Sequence, residues 1–170
     1  APIFRSKCDA ELTKEIYSRI PVLIDERKQA SGNPWGITFS AMFHMSGDSE
    51  QFRTASVLSG DGLSRDGRDW VSTDGKCRFV PLYEAKMIHH YDHRWATYED
   101  EIGDDSSRLA LHSEKASSNF EVAPRYWVAE GEVLGRLSAK KWKHDWLIGW
   151  RDICRATDER TTVSGIIPRS

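Results

Sequence analysis

The chain has 170 residues, enough for one domain with a proper core and too few for two ordinary ones. Charged residues make up 29% and the formal net charge is −2, which excludes a protein that holds nucleic acid by bulk charge alone, though not one with a local basic groove. The cysteines (Cys8, Cys77, Cys154) are widely spaced with no C-x-x-C pair, and no apolar run approaches the roughly 18 residues of a membrane span. Reduced thiols, a cytoplasmic location and no membrane partner are the expectation.

Asp9 to Arg19 reads as a helix, with Asp9 as its cap, Leu12, Ile16 and Tyr17 or Ile20 as its apolar stripe, and Pro21 as its stop. Asn33-Pro34 marks a turn, and the alternation from Trp35 to Phe43 predicts a strand. Asp48 to Arg53 suggests a short helix capped by Asp48. Residues 59–76 hold four glycines (Gly60, Gly62, Gly67, Gly75) and many Asp and Ser, the composition of a mobile loop. Phe79 to Tyr83 is an apolar strand in which Pro81 must sit near an edge or an end. Arg94 to Tyr98 is strand-like again, and the acids cluster at 99–105, leaving the remainder mildly basic. A second polar loop is expected over 102–120. Then follow a strand at Arg125–Val128, a helix over Glu130–Leu137, a strand at Trp146–Trp150, a charged stretch to Arg160 and a last strand over Thr161–Ile167.

The sum is α+β: a mixed, mostly antiparallel twisted sheet with two or three short helices and two long loops, in a single domain spanning 1–170. The helices are too few for alternating βα units. The start at Ala1 and the stop just after an apolar strand point to a fragment excised from a longer protein.

The densest chemistry lies in Phe79–Glu99, FVPLYEAKMIHHYDHRWATYE. Glu84-Ala-Lys86 has the E-x-K form of metal-dependent nucleases, in which the carboxylate holds Mg²⁺ and the lysine assists the attacking water. Asp66, Asp69 or Asp74 would have to supply the second acid. The competing reading is a solvated salt pair. His89 and His93 stand four apart, on one face if the segment is helical, but position 90 is His where a zinc protease has Glu, so a polar hydrogen-bonding turn is the better reading. Arg151, Arg155 and Arg160 could grip phosphates or guanine edges, or pair with Asp152, Asp158 and Glu159. Most of the seven tryptophans are expected in the core, with Trp70, in the Gly-rich loop, as the candidate stacking platform.

Several blocks together resemble the region C-terminal to the catalytic domain of adenine-specific DNA methyltransferases of the type IIG restriction-modification kind. They are Pro2–Arg5 with Asp9–Thr13, Ile20–Ile24, Asn33–Gly36, Phe52–Thr54, Val80–His89 with Tyr91–Tyr98, Pro124–Val128, and Gly149–Ile153 with Arg155–Thr161. They run in family order and cover nearly all of the chain outside the two loops.

The resemblance implies a target-recognition region that selects a short double-stranded DNA sequence for an upstream methyltransferase domain of the same chain. S-adenosylmethionine, and Mg²⁺ where the parent also cleaves, would belong to that parent. The N-P-P-Y motif for a flipped adenine is absent here, since Asn33-Pro34 is followed by Trp35. No catalytic, cofactor-binding or metal-binding residue is therefore expected in this chain. The DNA-contact candidates are Lys86, His89, His90, Arg94, Arg151 and Arg155, with sequence choice in the loops at 59–76 and 102–120. A metal-dependent nuclease using Glu84 and Lys86, and a structural spacer domain, are the alternatives.

Overall fold

Ser6 opens the first helix. Its Oγ accepts the Asp9 N–H at 3.1 Å, and α1 runs Lys7–Arg19. The cap is thus Ser6; Asp9 lies in the first turn, where its charge complements the helix dipole. Ile20, extended ahead of Pro21, ends the helix as expected. A computed structural model describes residues 4–98, 106–153, 155, 157 and 159–169. It divides into two compact units, Ala1–Ala41 and Met42–Ser170, where length alone suggests one domain.

In the first unit the stripe Leu12, Ile16, Tyr17 and Ile20 is exposed. Asp25 is buried and accepts from Arg27 N–H and Nε at 3.2 and 2.9 Å, and the Arg27 guanidinium holds its carboxyl down at about 2. The strand expected over Trp35–Phe43 does not form. Its alternation is genuine, but Asn33 intercepts the backbone: Nδ2 donates to the Ile37 carbonyl at 2.7 Å and Oδ1 accepts the Ile37 N–H at 2.9 Å. Those are the bonds a neighbouring strand would have made.

The second unit is built on a four-stranded antiparallel sheet. Thr54 caps α2 (Ala55–Gly60) through the Val57 N–H. The chain then forms β1 (Ser64–Asp66), β2 (Asp69–Val71) and β3 (Arg78–Pro81). Further on come β4 (Ala96–Tyr98), β5 (Ser107–Leu109), α3 (His112–Ala116), β6 (Trp127–Ala129), α4 (Glu130–Ala139), β7 (Trp146–Trp150) and β8 (Ser164–Pro168). The sheet order is β1-β2-β3-β6, and β4-β5 and β7-β8 are separate two-stranded ribbons. Every described strand pair is antiparallel, so the mixed α+β class holds, with four α-helices among the described residues and three small sheets in place of one. Pro81 is the last residue of β3, where its missing N–H removes no ladder bond from the strand interior.

The alternation of β3 and β6 assigns the two sheet faces. Val80 and Val128 stand opposite each other and pack with Val133 and Leu137 of α4. On the other face Phe79 pairs with Trp70, and Trp127 joins them with Leu58 of α2. Trp70 and Trp127 meet edge to face at 6.2 Å. Trp70 is only 8% exposed, so it is a core residue and not a stacking platform. A third cluster, Met87, Tyr98 and Val122, sits under the turn that follows β3. At about 1.5–3 kcal/mol per fully buried apolar side chain, these clusters are the main favourable term in the fold.

Neither stretch expected as a long loop is one where it is described. Residues 59–76 contain the β1–β2 hairpin, closed by Gly67 (φ 63°) and Arg68 between the Asp66–Asp69 pair. Glycine at the first central position of a two-residue turn is what the twist of a hairpin requires. Arg78 then clamps the hairpin, donating to Asp69 at 2.6 Å and Asp66 at 3.0 Å. Within 102–120 stand β5 and α3, with Arg108 bidentate to Glu114; residues 102–105, like the acidic run 99–105 and Cys154, lie outside the described part. Asp48 does not cap its 3-10 turn by a side-chain bond. Its carboxylate accepts from Arg136 of α4 at 2.7 Å and is held below its ordinary value, first by that guanidinium and next by the His44 N–H. No helix among the described residues is long and apolar enough to cross a membrane.

Candidate nucleic-acid interface

The segment after β3 is a rigid turn, not a helix. A 3-10 turn, Ala85–Met87, buries Met87 completely, and Ile88 follows at 3% exposure. His89 N–H then donates to the Asp92 carbonyl at 2.7 Å and Asp92 N–H returns the bond at 2.9 Å. Tyr91 sits at the apex with φ 60° and is 86% exposed, its N–H pinned to the Ser164 carbonyl of β8 at 2.9 Å. A bulky side chain in the left-handed region is an uncommon conformation that the surroundings must impose.

Two glycines let the turn settle on the β7–β8 ribbon. Gly149 and Gly165 face each other across it. A Cβ at Gly165 would lie 3.2 Å from the His89 carbonyl oxygen, and one at Gly149 would lie 3.0 Å from Ile88 Cδ1.

The three histidines therefore diverge, and the helical metal geometry does not exist. His89 stacks on Trp95 at 4.2 Å. His90 lies against the Tyr91 ring at 4.0 Å, with a buried Nδ1 that has no hydrogen-bond partner among the described residues. His93 lines an open cleft. Among the described residues no three His, Cys, Asp or Glu side chains gather as a metal site. The nuclease constellation is dispersed as well. Glu84 accepts the Tyr98 hydroxyl at 3.0 Å, Lys86 Nζ lies 5.3 Å from the Tyr98 ring centre, and Asp66 and Asp69 are engaged by Arg78. Asp74 accepts from Ser72 Oγ and the Lys76 N–H, which hold it below its ordinary value in that order.

Of the DNA-contact candidates, Lys86 is exposed on the surface of the turn, and His89 and His90 are half-buried beside it. Arg94 is spent internally: its guanidinium donates to the carbonyls of Lys115, Ser117 and Phe120 at 3.0, 3.2 and 3.2 Å. Arg151 does the same toward Ala85 and Ile88, with bonds of 2.7 to 3.0 Å. Both arginines are clasps that hold chain segments together. Arg155 is exposed, and Arg160 lies near Glu159 at 3.9 Å.

The cleft beside the turn has a volume of about 360 Å³ and is lined by Arg68, Tyr83, His93, Arg94, Phe120 and Glu121 among others. Partial burial, then the neighbouring Arg94 charge, pushes the His93 imidazole below its ordinary value. Burial raises the Tyr83 hydroxyl. Asp92 experiences burial as an upward push, which the Lys115 ammonium at 2.6 Å and the Arg94 N–H overcome, leaving its carboxyl lowered. Cationic groups beside aromatic walls suit a phosphate or the polar edge of a base.

No protein-family model, curated protein or solved structure matches the chain.

Arg68 and Tyr91 escape a reading of the sequence by composition. Arg68 is carried into the cleft by the Gly67 turn, and the signal was the dipeptide Asp66-Gly67 between short alternating runs. Nothing in the sequence announces that Tyr91 adopts a positive φ. The run Lys140-Lys-Trp-Lys-His-Asp-Trp146, basic residues interleaved with aromatics, carried a legible signal that charge counts over the whole chain conceal.

Proposed function

We propose that this chain is the target-recognition part of an adenine-specific DNA methyltransferase or restriction-modification enzyme. It would hold double-stranded DNA for a catalytic domain elsewhere in the parent chain. One observation carries the reading: within the second unit, the blocks at 52–54, 80–98, 124–128 and 149–153 that resemble that family meet in space. Arg53 and Trp127 exchange both backbone bonds, at 2.9 and 2.8 Å, joining the 52–54 and 124–128 blocks. β3 and β6 join 80–98 to 124–128, and Arg151 clasps the 149–153 block to Ala85 and Ile88.

The frame presents Tyr91 and Lys86 on a turn fixed at both ends, next to the Arg68–His93 cleft. Lys86 and Arg68 supply phosphate contacts, and Tyr91 and His90 reach toward the groove. S-adenosylmethionine would supply the methyl group in the parent, and its binding motifs are not in this sequence. The dispersed carboxylates around Glu84 give the nuclease alternative no support.

The test is duplex binding by fluorescence anisotropy across a salt series. Affinity is expected to fall steeply with salt, and Lys86→Ala to weaken it and reduce the log–log slope by about 0.9. Because a phosphate in the cleft would favour the His93 imidazolium, which the free chain holds below its ordinary value, binding should tighten as pH falls toward 6 and His93→Gln should reduce that dependence. Salt-independent binding, or specific cuts in plasmid with Mg²⁺, would reject the proposal.

A further inference from the structure

α4 ends in an unusual way. Lys141 N–H donates to the Ser138 carbonyl at 2.9 Å and Trp142 N–H reaches back to the Leu137 carbonyl at 3.0 Å. This is the helix terminus that normally places glycine in the left-handed position, yet the residue there is Lys141, at φ 55°. A lysine held where glycine is preferred is a local cost to the fold, and such costs concentrate at working surfaces.

What surrounds it is a basic and aromatic face. Trp142 and Trp146 meet edge to face at 5.4 Å, and His144 stacks on Trp146 at 5.0 Å with 26° between planes. The indoles are 36% and 38% exposed, and Trp142 Nε1 is fixed by the Trp146 carbonyl at 2.8 Å. The alternation of β7 turns Trp146 outward. Lys140, Lys141 and Lys143 are exposed and form no ion pair among the described residues, while Asp145 is paired with Arg169 at 3.2 Å. Lys141, Trp142, Lys143 and Arg169 border an open hollow of about 510 Å³.

We propose that this face, Trp142–His144–Trp146 with Lys140, Lys141 and Lys143, is a stacking platform for single-stranded nucleic acid. Its chemistry selects the occupant. The lysines want a polyanion, and the part-exposed indoles offer ring surface to other flat π-systems. A duplex offers phosphates but keeps its base faces stacked inside; a single strand offers both. The surface is separate from the turn that carries Tyr91, and it does not depend on the duplex-recognition reading.

The experiment is titration of the whole chain with labelled single-stranded DNA, single-stranded RNA and duplex of one 12-nucleotide sequence, reading anisotropy and tryptophan emission. One or both single strands should bind with quenched emission, more tightly than the duplex; whichever it is identifies the natural strand. Trp146→Ala is expected to weaken binding by about tenfold. Lys141→Gly should lower affinity by about threefold and the salt slope by about 0.7, while leaving the melting midpoint equal to or above that of the parent sequence. That last pairing separates a binding role from a structural one. Lys86→Ala and Tyr91→Ala should keep single-strand binding, so this proposal and the duplex reading fail independently. Unchanged affinity in Lys141→Gly and Trp146→Ala, equal binding of duplex without quenching, or binding to phosphatidylserine vesicles in place of any oligonucleotide would overturn it.

Discussion

Arg94 and Arg151 show how a side chain suited to phosphate can be committed elsewhere. Each spends its guanidinium on backbone carbonyls of other segments, and charge-assisted bonds of this kind are among the stronger ones. Arg94→Gln and Arg151→Gln should each lower unfolding free energy by about 2–3 kcal/mol in urea titration. Lys86→Ala, an exposed side chain whose ammonium lies 5.3 Å from the centre of the buried Tyr98 ring, should cost less than about 1 kcal/mol. Equal effects of all three would contradict the assignment of clasps. His93 makes a second prediction. Its folded value is depressed, by burial and then by Arg94, so the unfolded chain takes up the proton first. Its contribution is complete above the unfolded value of about 6.5 and is lost as pH falls below it. Asp92, also lowered, acts in a separate window, since its contribution is present above about 3.9 and declines below it. The urea midpoint should therefore drop between pH 7.5 and 5.5, and His93→Gln should flatten that drop without touching the acid limb.

Elements were legible where one pattern had a single physical outlet. The periodicity of α4 and the apolar runs of β3, β6 and β7 each had a core to face, and they form within a few residues of where the pattern places them. The failures have specific causes. Trp35–Phe43 alternates like a strand, but the Asn33 amide takes the backbone bonds of Ile37. The 59–76 stretch reads as loop by its glycine content, whereas by position Gly67 is the turn of a hairpin that Arg78 closes. At the candidate site the residue types were visible but their division of labour was not, because whether an arginine faces solvent or a carbonyl depends on segments more than twenty residues away. Packing between elements gives its own test. Leu137→Ala removes a side chain 6% exposed between α4 and the sheet, and should cost about 2–4 kcal/mol. Gly165→Ala presses a methyl against the His89 carbonyl and should cost about 1–2 kcal/mol, with loss of protection at the Tyr91 amide in hydrogen exchange.

At the scale of the molecule, the second unit is a frame of three apolar clusters around a small antiparallel sheet. Its outward features are a turn locked by two glycines and a β8 carbonyl, a polar cleft lined by Arg68 and His93, and a basic aromatic face. With a net charge of −2 spread over 170 residues, the nucleic-acid binding proposed above would have to come from these local surfaces. On the proposed function, the turn and the cleft beside it read sequence and not merely charge. Incubating the chain at low salt with a pool of randomised duplexes, recovering the bound fraction over several rounds and sequencing it tests that claim directly. The account predicts enrichment of one short common sequence, weakened when Lys86 and Tyr91 are both replaced by alanine; a bound pool as random as the input would contradict it.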